Sequence, residues 1–368
     1  MAGSADRTDL SPVSHALRGN AEFLAGWLAT TPGGPTWLAE RLSLDEQALH
    51  RLLVCRAPRP DRFTAEVTAL AGYAEVDPTA LASVLREAAV LAALSAGGTA
   101  PLSQDPGAGL LAAARDTAAE QLPGAAGVAR VRELAGDTWN AAPVAVRQRR
   151  DIDAAVVWAS PVAVVSLARL HLASVNRWLA EHGAPELPGG VDDLRGLLLA
   201  WRGHAAIFVD GTLPAGERRF TLAHEHGHFL LDYLLPRRRV LRDAPDLLEV
   251  LDGRRDPTDA DRARAALARV PLGLHTHLLH RDEGGGADDG TVAAEDEAST
   301  YALEALAPWE ELLGLLRSRT PATGSYVDRL RAATGAVAEE FVLPGDAAQA
   351  RAAAGLAALG IRPGFFDR

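Results

Sequence analysis

The chain has 368 residues, 48% of them apolar and 23% charged, with a formal net charge of −11. A chain of that length and composition can bury its own core, which excludes a disordered protein, and its acidic balance disfavours non-specific attraction to nucleic acid or anionic lipid. One cysteine, Cys55, excludes an internal disulfide, and no charged segment followed by an apolar one opens the sequence, so a reducing cytoplasm is the expected compartment.

Ala, Leu, Gly and Arg dominate and Lys is absent, which favours helices over strands. Residues 14–92 read as a cluster of short helices: Ala21–Leu28, Trp37–Leu42, Asp45–Val54 and two more. The run Trp37-Leu38-Ala39-Glu40-Arg41-Leu42, then Asp45-Glu46-Gln47-Ala48-Leu49, Pro58-Arg59-Pro60, Leu70-Ala71 and Asp77-Pro78-Thr79-Ala80-Leu81 resembles the helix-turn-helix domain of Xre-type phage repressors. That resemblance implies a recognition helix at Asp45–Val54 whose first residues meet base edges. Asp45 and Glu46 suit the positive end of a helix but are repelled by phosphates, and Arg51, Arg56, Arg59 and Arg62 supply the local positive charge. DNA binding and a helical module for protein contacts both stay open.

Residues 94–110, with Gly97-Gly98 and Asp105-Pro106-Gly107, read as a linker, and 93–150 as linker plus helical connector. A long helical stretch is expected from Ile152 to His182, kinked at Pro161 and ended by Gly183 and Pro185. Its apolar run Ala154–Ala168 is too short to span a bilayer, so a buried helix is expected and no membrane. One strand follows, Ala205–Val209, closed by Asp210-Gly211, and a helix begins near Glu217. Val240–Gly290 is Arg- and Asp-rich, with a helix around Asp259–Val270 and a Gly-rich acidic stretch from Asp282 to Gly290. Helices are expected to the end.

The chemistry lies in Phe220-Thr221-Leu222-Ala223-His224-Glu225-His226-Gly227-His228. His224 and His228, four residues apart, share one face of a helix one turn apart and can grip one metal ion. Glu225 sits beside His224, placed to act as base. Zinc held by two neutral imidazoles and a carboxylate keeps a position open for water, lowers its pKa toward about 7 and polarises a scissile carbonyl. His226 is turned by about 200° from either partner and is not expected to ligate. His275, His277 and His280 form a small cluster of ligand type without a fixed partner spacing. His204 and Asp232 are candidates to orient an imidazole from behind, and Tyr233 and Tyr301 to stabilise an oxyanion.

The strand Ala206-Ile207-Phe208-Val209 followed by Glu217-Arg218-Arg219-Phe220 and the His-Glu-His-Gly-His helix looks like the core of the ImmA/IrrE metallopeptidases, which are gluzincin-like. The family's second block appears as Glu295-Asp296-Glu297-Ala298-Ser299-Thr300-Tyr301-Ala302. By that resemblance the third zinc ligand comes from this block: Glu295 matches the Glu-x-x-Ala form, and Glu297 is its rival. The resemblance further implies a zinc (Zn2+) metalloendopeptidase cleaving a protein or peptide, such as a transcriptional repressor. A regulator or interaction module with a structural or sensory zinc, and a zinc hydrolase acting on a small molecule, are the alternatives.

The expected fold is mainly α (α+β): a helix-turn-helix domain at 14–92, the connector, a zincin-like domain with a small sheet at 151–320, and a C-terminal helical unit at 321–368. More than sixty residues separate His228 from Glu295, longer than is usual in the family the chain resembles, and by that resemblance the excess implies a helical insertion at about 237–290 able to cover the cleft. The strand Ala205–Val209 is expected to offer a free edge to an extended peptide.

Overall fold

The computed structural model describes residues 9–95, 125–189, 193–280 and 289–363. The expected linker from residue 96 on, and the Gly-rich acidic stretch up to residue 288, lie outside the described residues.

The fold is mainly helical around a four-stranded mixed sheet. Six helices come first: α1 (Ser11–Ala16), α2 (Leu24–Ala29), α3 (Gly34–Leu42), α4 (Glu46–Leu53), α5 (Phe63–Ala74) and α6 (Pro78–Ser95). Asp45 caps α4, its carboxylate accepting from the Ala48 N–H at 2.6 Å. Arg59 is bound by Glu66 at 2.6 Å and Arg51 lies 3.7 Å from Glu75, so part of the positive charge around α4 is already matched. Among the described residues α6 is the one helix long and apolar enough to cross a bilayer, and more than half of it is buried in protein. Its first turns pack Leu81, Val84 and Leu85 against Leu24, Leu52 and Phe63, and its last turns lay Val90, Leu91 and Leu94 on the sheet.

Next come α7 (Ala125–Ala141), α8 (Val144–Arg149), α9 (Ile152–Ala159), β1 (Val162–Leu167), α10 (Leu172–Glu181), β2 (Leu194–Trp201) and β3 (His204–Asp210). The long helix expected over Ile152–His182 is therefore three elements, with a strand at its centre. Pro161 ends α9 instead of kinking it, and the β-branched Val162, Val164 and Val165 continue as a strand. The small expected sheet is present, but Ala205–Val209 is the one of its strands that the sequence pattern picks out. β1 and β2 are apolar on both sides because helices cover both faces of the sheet, so they lack the alternation that marks a half-exposed strand.

The strand order is β1-β3-β2-β4, with β1 parallel to β3 and the other pairs antiparallel. β3 is thus interior, and among the described residues the edge strands are β1 and β4 (His275–His280) instead. One face, with Leu197, Leu199, Ala206 and Phe208, packs on α6 and α10. The other, with Leu198, Ala200, Ala205, Ile207 and Val209, packs on the helix that carries the motif.

That helix, α11 (Ala215–His228), runs on through one π-helical turn (Phe229–Leu234) into α12 (Leu235–Asp243). Pro236 cannot donate to the carbonyl four residues back, and the wider turn accommodates the missing bond without a break. The segment expected as a helical insertion holds α13 (Leu248–Leu251) and α14 (Asp259–Leu267), but it also returns to the sheet as β4. Four helices finish the fold: α15 (Asp289–Leu306), α16 (Trp309–Arg319), α17 (Tyr326–Phe341) and α18 (Gly345–Ala358).

Candidate metal centre

Two helices and one strand build the site. α11 and α15 approach closely at Gly227, where a Cβ would meet Ala298 Cα and the Tyr301 ring at 3.1 Å. Ala298 and Ser299 face α11, and Glu295, one turn earlier, shares their side of α15. Gly227→Ala should force the helices apart at a cost of about 1–3 kcal/mol and weaken metal binding by about tenfold. Competition against a chromophoric chelator reads that loss, and unchanged affinity would show that the close approach does not set the site.

The contact brings the distant carboxylate to the motif. Glu295 Oε2 lies 3.1 Å from His224 Nε2 and its Oε1 lies 3.6 Å from His228 Nε2, while the two Nε2 atoms are 3.1 Å apart. Glu297 is not in this group; its neighbours are Asp232, Arg130 and Arg269, and burial with Asp232 nearby raises its pKa. Glu225 is fully buried. Gly196 in β2 makes its room, since a Cβ there would stand 2.8 Å from Glu225 Oε1.

A fourth group joins them. His277 Nδ1 lies 2.9 Å from Glu225 Oε2 and its Nε2 lies 2.7 Å from Glu295 Oε1, with its ring stacked on that of His228 at 3.7 Å. The β2–β4 register pairs His277 with Leu198, on the sheet face that α11 covers. Of the expected His275, His277 and His280 cluster, His277 enters the site and His275 stacks on Tyr233, while the His280 side chain lies outside the described residues. The strand period of two in His275-Thr276-His277 was the available signal, and reading it required knowing that this polar segment is a strand.

The surrounding groups sort plainly. Asp232 Oδ2 accepts from His228 Nδ1 at 2.7 Å, as expected of a residue that orients an imidazole. His204 does not share that role: it follows the Ala206 and Phe208 side of β3, away from α11, and burial followed by Arg86 and Arg237 pulls its pKa down to about 4. His226 points into the interior, bonded to Ser160 Oγ at 2.9 Å and Tyr301 Oη at 2.7 Å, and burial pulls its pKa down to about 3. Tyr301 is thereby committed to His226 and Thr138, and Tyr233 Oη accepts from the Gly203 N–H at 2.9 Å. Neither tyrosine is placed for an oxyanion.

Residues 187–250 match the family model of the IrrE N-terminal-like domain, a peptidase family. The match holds β2, β3 and the whole of α11, and it stops short of His277 and Glu295. No curated protein and no solved structure matches the chain.

The donor set fits a zinc ion. Nitrogen and oxygen donors about 2.0–2.2 Å from a tetrahedral zinc lie roughly 3.3 Å from one another. The separations of 3.1, 3.1 and 3.6 Å among His224, His228 and Glu295 have that spacing. Electrostatics agree. Burial opposes charge on Glu295, but His224, His228 and His277 outweigh it and hold its carboxyl far below the ordinary range. Burial likewise opposes a charged His277, but Glu225 and Glu295 outweigh it and lift its pKa to about 10. The protein has assembled a place that favours positive charge.

Proposed function

We propose that the chain is a zinc-dependent metallopeptidase of gluzincin type, with His224, His228 and Glu295 holding the ion and Glu225 acting as base. The convergence of Glu295 on the two Nε2 atoms carries this reading, and the match over residues 187–250 supports it. Zinc supplies Lewis acidity toward a scissile carbonyl.

The protein's own groups supply the rest. Asp232 fixes the tautomer of His228, leaving its Nε2 lone pair for the metal. Glu225, adjacent to the ligands and packed against Gly196, takes a proton from the attacking water and returns it to the leaving amine. β4 is the edge strand beside these groups, so an extended peptide would pair with its free side, which favours unfolded or flexible protein segments as substrates. By the resemblance to ImmA/IrrE enzymes, the substrate class is a regulatory protein such as a transcriptional repressor. The helices of residues 14–92, which resemble an Xre-type domain, would hold the enzyme near DNA or near that target.

Purified protein should hold about one zinc per chain. It should cleave an unfolded protein such as casein, lose that activity to 1,10-phenanthroline and regain it on zinc addition. Cleavage indifferent to the chelator would end the assignment.

A further inference from the structure

We propose that His277 is a fourth protein ligand, so that the described conformation closes the metal site with three histidines and one carboxylate and leaves no position open. Its regulatory meaning rests on the metallopeptidase reading; the ligation does not.

His224 and His228 turn Nε2 toward each other and toward Glu295, His277 turns its Nε2 toward Glu295, and one donor atom from each of the four residues lies within 4.8 Å of the others. Each ring's other nitrogen faces an oxygen: Ser299 Oγ at 3.3 Å behind His224, Asp232 behind His228 and Glu225 behind His277. A ligating histidine is held in this way, its free N–H donated to a carboxylate or another oxygen that fixes tautomer and aim. His277 and His228 therefore carry the same arrangement, a carboxylate behind Nδ1 and Nε2 directed inward.

Glu225 completes the argument. It has no exposed surface, its Oε2 is bound by His277, and its Oε1 lies against the Gly196 backbone without a hydrogen-bond partner. A base so covered cannot meet water until His277 leaves. Zinc sites with four protein ligands are structural or closed, and catalytic ones keep three and a free position. The strand that brings His277 is an edge strand, bonded to β2 alone among the described residues, so it is the element of this site with the fewest bonds to break.

Cobalt(II)-substituted full-length protein tests the proposal through its visible absorption. The native spectrum should ignore added azide, because no position is open, and that of His277→Ala should change with azide. Zinc affinity of the variant should fall by at least the roughly 10–100-fold that losing an outer-shell partner costs. His277→Gln serves if the alanine variant fails to fold, and the native azide titration needs no variant. A native spectrum that responds to azide, or a variant with native spectrum and affinity, would overturn the fourth ligand. Casein cleavage should rise in His277→Ala; a fall would overturn closure. Cleavage absent from both proteins while the cobalt results hold would refute the peptidase reading and leave the ligation standing.

Discussion

Glu225→Gln is expected to keep zinc and to lose turnover by about 10²–10⁴-fold, the usual contribution of a positioned acid–base group. The substitution is nearly isosteric, and the amide oxygen can still accept from His277 Nδ1, now 2.9 Å from Glu225 Oε2. The –NH2 group then falls where Glu225 Oε1 lies buried without a partner, so stability should drop by about 1–3 kcal/mol. Binding of the ion should hardly change, because Glu225 is not among the four donors. Metal content, thermal melting and casein cleavage measured on one preparation separate these effects. If His277 keeps the native chain latent, the comparison is made between His277→Ala and the double variant. Zinc retained with turnover intact would remove Glu225 from the chemistry and with it the hydrolase reading.

What could be read in advance follows from how local each determinant is. His224, His228 and Asp232 lie within nine residues, and the helical repeat alone puts them in one row. Glu295 depends on a contact between distant helices, yet Ala298 and Ser299 give a local clue: residues three and four apart share a helix face, and a small residue permits close approach. Glu297, two residues on, is turned by about 200° and misses the site. His277 depends on the pairing of β4 with β2, nearly eighty residues apart, and His275-Thr276-His277-Leu278-Leu279-His280 lacks the strict polar–apolar alternation that announces a strand. β1 and β2 were illegible for the opposite reason, since a strand buried on both faces is a plain apolar run that a helix explains equally well. The mainly helical class needed only composition.

The second large effect lies at the other end of α15, where Glu304→Ala is expected to cost about 3–5 kcal/mol, the usual result of orphaning a buried ion partner. Glu304 and Arg351 are both almost inaccessible, with Arg351 Nη1 3.1 Å from Glu304 Oε1, and Arg351 also donates to the Ala307 carbonyl at 2.6 Å. Arg132 adds a half-exposed partner at 3.2 Å and contributes less, because solvent screens it. The Arg351 guanidinium lies over the Trp309 ring at 5.0 Å, so it is packed as well as paired and cannot escape to water when the carboxylate goes. Burial opposes the Glu304 charge, but Arg351 and Arg132 outweigh it and depress its pKa below the ordinary 4.5. The stabilisation is therefore complete above that value and disappears as the pH falls through the depressed folded value. Urea unfolding at pH 7 should show the full difference between native protein and Glu304→Ala, and the gap should narrow in acid. A difference under about 1 kcal/mol at pH 7 would mean the cluster is only a surface-type pair. Because the same helix holds Glu295 about two and a half turns away, zinc that binds only the folded chain should restore part of the lost melting temperature. Failure of zinc to raise it in a variant that still binds the ion would disconnect the two ends of α15.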